Sequence, residues 1–225
     1  MTMSPMGKAV AVATTLSVVL LVVVMTVASS PVHDWRSGGG QHAAFSAHMH
    51  GGRHLTAGSE YDYLAEMVPH HEEAITAARE LRRSGRAELR ELGAAIVSSQ
   101  REQVRLMEGW LADWYPDRPA SDPRYEPMMR DLRGLDGEAL DRAFLTDMVP
   151  HHMMAVMSSQ RMLAGGAVDH AEVADLAATI RDEQHAEIGL MRRWLSRLED
   201  ASVSGCRGAG RSTTGHSSHG PHPQR

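Results

Sequence analysis

Cysteine is almost absent from this chain: the single Cys206 lies in a polar C-terminal stretch, so neither an internal disulfide nor a thiolate metal cluster can be built. Aromatic residues make up only 4% of the 225 residues. A core must therefore come from Leu, Ala, Val, Ile and an unusual supply of 15 Met. No basic run is interleaved with aromatics and the net charge is −5, which excludes nucleic acid as a partner. No Ser or Cys sits in the setting of an activated nucleophile.

What is present is unevenly placed. The 14 His fall mostly in the two ends of the chain, with two pairs and two singles between them. Lys8 precedes an uncharged apolar stretch from Ala9 to Ala28, near the roughly 20 residues that span a bilayer. The following Val27-Ala28-Ser29-Ser30 is not a clean small-x-small cleavage site. Residues 1–30 are therefore expected to be a signal anchor, a transmembrane helix rather than a cleaved signal peptide. Either form places the rest of the chain on the extracytoplasmic side, membrane-bound or secreted. Residues 31–58 are rich in Gly, Ser and His, including His48, Met49, His50 and His54, and are expected to be a disordered linker. Residues 201–225, with His216, His219 and His222, are expected to be a disordered tail.

Between these ends the sequence repeats itself. Met67-Val68-Pro69-His70-His71 recurs as Met148-Val149-Pro150-His151-His152, each preceded by an acid, Glu66 or Asp147, and by an aromatic three residues earlier, Tyr63 or Phe144. Downstream, Ile96, Gln100, Met107, Trp110 and Leu111 recur at the same spacing as Ile180, Gln184, Met191, Trp194 and Leu195. Each copy reads as two helices. Ser59 with Asp62 marks one start and Ser84-Gly85 the stop; Asp136 and the Asp169/Glu172 box mark later starts, and Gly165-Gly166 a further stop. The proline-rich segment from Pro116 to Pro127 is a connector. The expected fold is an all-α four-helix bundle over residues 59–200, made of two antiparallel hairpins, 59–115 and 136–200. Pro69 and Pro150 fall inside helical apolar patterns, so each is expected to kink a continuous helix rather than begin one.

Residues three and four apart share a helix face, which sets Met67 over His70 and His71 and Met148 over His151 and His152. Folding the first hairpin about Gly85 brings His70 level with Gln100 and Met67 level with Gln103. A bend near Gly166 brings His151 and His152 toward 182–184, and Met148 toward 185–187. Polar interruptions in all four helices thus meet at one height, where they must bond one another or hold an ion. Imidazole and thioether are soft or borderline donors suited to copper and poor for magnesium or calcium. The expected site is a copper ion held by Met67, His70, His71, Met148, His151 and His152, with Glu187 and Met191 opposite. The repeat is not symmetrical throughout: Glu72 and Glu73 stand where the second copy has Met153 and Met154.

Two other readings stay open. Paired His facing Gln and Glu also suit a hydrogen-bonded layer that fixes register in an interaction module without metal. A bundle of this shape also hosts di-iron enzymes, but these need a Glu-x-x-His on two helices and a Glu on each of two others. Here Asp182-x-x-His185 is the only acid-x-x-His on a suitable helix, which argues for a binder rather than an enzyme.

At these residues the chain resembles the bacterial family known as domain of unknown function 305, whose hallmark is acid-Met-x-x-His-His followed by a helix carrying Ile-x-x-x-Gln, Glu-Ile and Met-x-x-Trp-Leu. The second copy matches through Asp147 to His152 and through Gln184, Glu187-Ile188, Met191, Trp194 and Leu195. The first copy departs with Gln103-Val104 in place of Glu-Ile, so the resemblance carries a carboxylate only to the second. It spans roughly Ser59 to Leu198 and implies a ferritin-like bundle, usually exported, some members being similar to periplasmic copper or silver binders.

Overall fold

Ser59 starts the first helix as its sequence promises: its Oγ accepts the Asp62 N–H at 3.2 Å and donates to Asp62 Oδ2 at 2.7 Å. In the computed structural model, which describes residues 58–166 and 168–209, with side chains to 200, four α-helices follow and no strand occurs among the described residues. They are α1 (Glu60–Glu80), α2 (Ala87–Trp114), α3 (Gly137–Gly165) and α4 (Ala171–Ala209). α1 tightens into a 3₁₀ turn, Leu81–Arg83, before the chain reverses. Pro69 and Pro150 lie inside unbroken α1 and α3, so neither begins a helix. Gly166, at φ 63°, closes α3 in the left-handed region that favours glycine.

α1 packs on α2 and α3 on α4, and the two hairpins join along α1 and α3. Arg83, at the end of α1, donates to the Leu132 and Leu135 carbonyls at 2.8 and 2.6 Å, and to Asp136 Oδ1 at 2.6 Å, at the start of α3. α1 and α3 therefore run antiparallel. The apolar core divides into two halves. One holds Leu89, Leu92, Ile96, Phe144, Met148, Ile188 and Met191. The other holds Tyr63, Leu64, Met67, Met107, Leu111 and Ile180. Each half draws on all four helices, and in every helix the polar residues of the expected layer fall between the two groups.

Three boundaries differ from expectation. α4 continues to Ala209, past the expected limit at 200 and through Gly205 and Gly208. Asp136 precedes α3 but caps none of its N–H groups, being held by Arg83 instead. Asp169 and Glu172 do not open α4 as a capping box. The Asp169 and His170 N–H groups both donate to Glu60 Oε2 at 2.8 Å, so a buried carboxylate on α1 caps α4 across the bundle. The expected anchor at Ala9–Ala28 and the His-rich ends lie outside the described residues. Among the described residues no helix is long and apolar enough to cross a membrane.

The tightest approach within a hairpin is at Gly93 of α2. A Cβ there would stand 2.7 Å from the Ala78 carbonyl oxygen and 2.9 Å from Leu81 Cβ, and neither can swing aside. Gly93→Ala should destabilise the bundle by about 1–3 kcal/mol despite its better helix propensity. Thermal unfolding followed by circular dichroism checks this; an unchanged or raised Tm would refute it.

Candidate metal centre

The two Met-x-x-His-His elements meet where α1 and α3 cross. His70 and His151 stack at 3.7 Å between ring centroids with their planes 29° apart. His71 and His152 flank them at 6.0 and 6.2 Å. All four rings are fully buried. Each lies in its helix within a turn or so of a buried Met, Met67 or Met148. Those two Met do not meet. Met67 and Met107 belong to one half of the core and Met148 and Met191 to the other, so thioethers lie on both sides of the His layer.

The hydrogen bonds select one tautomer for the imidazoles. Gln103 Nε2 donates to Glu183 Oε2 at 2.9 Å, which turns Gln103 Oε1 toward His71. His71 must then donate from Nε2 to that oxygen at 2.8 Å. His152 Nε2 donates to the Glu187 carboxylate at 2.6 Å, and His70 Nε2 to the His151 carbonyl at 3.2 Å. His151 points Nε2 at Glu73 Oε2, 3.2 Å away, an ion-pair approach without good hydrogen-bond alignment. Where Nε2 donates, in His70, His71 and His152, the lone pair of the ring in its neutral form lies on Nδ1, while His151 Nε2 makes no hydrogen bond. The Nδ1 atoms of His70, His151 and His152 have no hydrogen-bond partner.

Charge is disfavoured throughout this layer. Burial, with the neighbouring imidazoles, holds His70 well below the usual histidine range. Burial pulls His71 down to about 3, the bond to Gln103 opposing it only in part. Burial also lowers His151, against the pull of Glu73. On the rim of the layer, burial and the nearby Glu187 push Glu183 up to about 7, partly offset by Gln103. His70, His71 and His151 are thus held neutral, the form that coordinates metal.

The structure brings together His70, His71, His151 and His152 as expected, but shifts the facing residues. His71 rather than Met67 meets Gln103, and His152 meets Glu187 rather than 182–184. A hydrogen bond joins side-chain tips, and each tip leans toward the N-terminus of its own helix, so in both antiparallel hairpins the bonded partner lies about a turn beyond the residue counted as level. Glu187 serves as the partner of His152, an arrangement that orients an imidazole and raises its basicity. Gln100 and Gln184, at equivalent places in the repeat, are buried with no partner for either amide atom. Among the described residues no three of His, Cys, Asp and Glu converge as a preformed metal site. The groups gathered in and beside the layer are imidazoles and thioethers, donors of the soft or borderline class, with the carboxylates of Glu73 and Glu187 at its edge.

Sequence reasoning missed Glu73 and Tyr125. Glu73 Oε1 accepts the Met128 and Met129 N–H groups at 2.8 and 2.7 Å, and its Oε2 accepts the Tyr125 hydroxyl. Burial opposes ionisation of Glu73, but its contacts with His151, Tyr125 and the Met129 N–H outweigh it and hold the carboxyl below its usual range. The signal was the asymmetry of the repeat, an acid where the second copy carries Met154.

The family model described as "Domain of unknown function (DUF305)" matches residues 60–195, with a second match over 141–223. Among solved structures, CopM in the Cu(I)-bound form is similar at 28% identity and a TM-score of 0.55, over 62% of this chain and 96% of that one. CopM in the Cu(II)-bound form is 30% identical, with a TM-score of 0.53, over 62% and 98%. A DUF305 fragment from Deinococcus radiodurans is 34% identical, with a TM-score of 0.54, over 61% and 95%. No curated protein matches the chain.

Proposed function

The chain belongs to the family described as domain of unknown function DUF305, and from that premise we propose that it is a copper-binding protein of metal homeostasis or tolerance, acting as a binder rather than an enzyme. The observation that carries this reading is the buried His70–His151 stack, flanked by His71 and His152 and bracketed by Met67 and Met148. It gathers neutral imidazoles and thioethers, the donors a soft ion selects. The CopM structures, which hold Cu(I) and Cu(II), support copper as the ion. Glu187 orients His152, and Met191 lies beside Met148 in the adjacent half of the core. In this reading the Ala9–Ala28 stretch carries the bundle across, and anchors it to, the cell membrane.

A second reading is favoured by one observation: the His71–Gln103–Glu183 chain and the His152–Glu187 pair close on themselves without an ion. On that view the layer fixes helix register and the bundle is an interaction module. Equilibrium dialysis of the full chain against buffered Cu(I), with melting followed in parallel, separates the two. Binding to the folded state alone adds about 2.7 kcal/mol at a hundredfold excess over Kd, so Tm should rise by several degrees. A chain that retains no copper and melts unchanged has only a register layer.

A further inference from the structure

We propose that the connector between the hairpins is a strap over the His layer, latched by Glu73, and that its opening admits the ion to the buried imidazoles. The four rings have no exposed surface, so nothing reaches them unless a covering segment moves. The segment over His70 and His151 is the connector: Tyr125 sets its ring edge-on to His70 at 6.3 Å. One carboxylate ties this segment to the layer. Glu73 takes the Tyr125 hydroxyl and the Met128 and Met129 N–H groups, and the same Oε2 stands 3.2 Å from His151 Nε2. A second clasp lies alongside, where Arg130 donates from Nε and Nη2 to Asp147 at 2.6 Å each. The cover is one-sided, because the repeat places Met154 where Glu73 stands and a thioether cannot accept three hydrogen bonds.

The ends of the strap are fixed independently. Near its start the Asp122 N–H donates to the Ala65 carbonyl at 2.8 Å and the Tyr61 hydroxyl to the Pro119 carbonyl at 2.8 Å. At its far end Arg83 holds the Leu132 and Leu135 carbonyls. Releasing the middle therefore bows the strap outward without detaching it. Alongside lies a cleft of about 510 Å³ between α1 and the strap, lined by Glu72, Glu73 and Glu80 of α1 and by Met129, Arg130 and Arg133 of the strap.

The proposal rests on the metal-binding reading only for the identity of what enters; the strap is testable without metal. Diethyl pyrocarbonate acylates accessible unprotonated imidazole, and peptide mapping by mass spectrometry resolves His70 and His151 from the exposed histidines. In the full chain these two should react slowly. Tyr125→Phe, which keeps the ring and removes the latching hydroxyl, and Asp147→Asn, which opens the second clasp, should each speed their modification roughly tenfold or more. Stopped-flow uptake of Cu(I) should accelerate likewise, with the equilibrium affinity nearly unchanged. Modification and uptake rates equal to the parent in both variants, with helicity intact, would overturn the proposal. Faster modification in a chain that binds no copper would uphold the strap and sink the copper reading.

Discussion

Lowering the pH from 6.5 to 5 is expected to cost the metal-free bundle several kcal/mol of its stability. His70, His71 and His151 are buried without charge, and burial holds each below the unfolded value near 6.5, His71 at about 3. A group of this kind takes its proton only in the unfolded chain. Its contribution is complete above pH 6.5 and is lost as pH falls toward the folded value. Each such imidazole adds a slope of at most about 1.4 kcal/mol per pH unit in that window, and three together at most about 4. Against a typical total of roughly 5–15 kcal/mol, a loss of several kcal/mol over 1.5 units is a large share. Urea midpoints at pH 7.5, 6 and 5 measure this, and His71→Gln should flatten the slope by about one third. Stability constant across the window would show that the rings are solvated or charged in the folded state.

Much of the fold was legible because helix signals are local. The Ser59 cap, the stops at Ser84-Gly85 and Gly166, and the paired 3.6-residue stripes each depend on neighbours in sequence. The caps that failed are those whose hydrogen bonds are made across the bundle. Asp136 has the right residue type for a cap, yet the guanidinium of Arg83 outcompetes the backbone for it. The start of α4 is capped by Glu60, 109 residues upstream at Asp169, and no local pattern encodes such a contact.

The site was legible to the level of the layer and not of its bonds. Duplication placed four His at one height, because a two-fold relation between hairpins brings equivalent residues together. Partners were off by about a turn, since counting from a bend levels the backbones whereas side chains lean toward the N-terminus of their own helix. That Gln103 stands in the first copy where the second has Glu187 could be read from the sequence; which His each would meet, and that Glu183 would turn the Gln103 amide, could not. The role of Glu73 depends on where a connector rich in proline runs, and composition does not determine that path.

Replacing His151 and His152 together by Ala should remove half or more of the copper held by the full chain at low, chelator-buffered free Cu(I). The pair supplies one member of the central stack and the imidazole that Glu187 orients, so both halves of the duplicated donor set lose their partner. The buffered condition matters, because His48, Met49, His50, His54, His216, His219 and His222 add weak donors outside the layer. Two buried rings are deleted as well, so a companion is needed that spares packing. Met67→Leu with Met148→Leu conserves volume, costs less than about 1.5 kcal/mol at each site, and removes only the thioether. Cu(I) affinity should fall in this companion while Cu(II) affinity changes little, because sulfur favours the softer ion. The bundle should stay helical in both variants. Parent-like affinity in the His variant would mean that the tails hold the metal and that the stacked His are a register layer. A loss in the His variant with no change in the Met companion would confine coordination to the imidazoles and leave Met67 and Met148 as core.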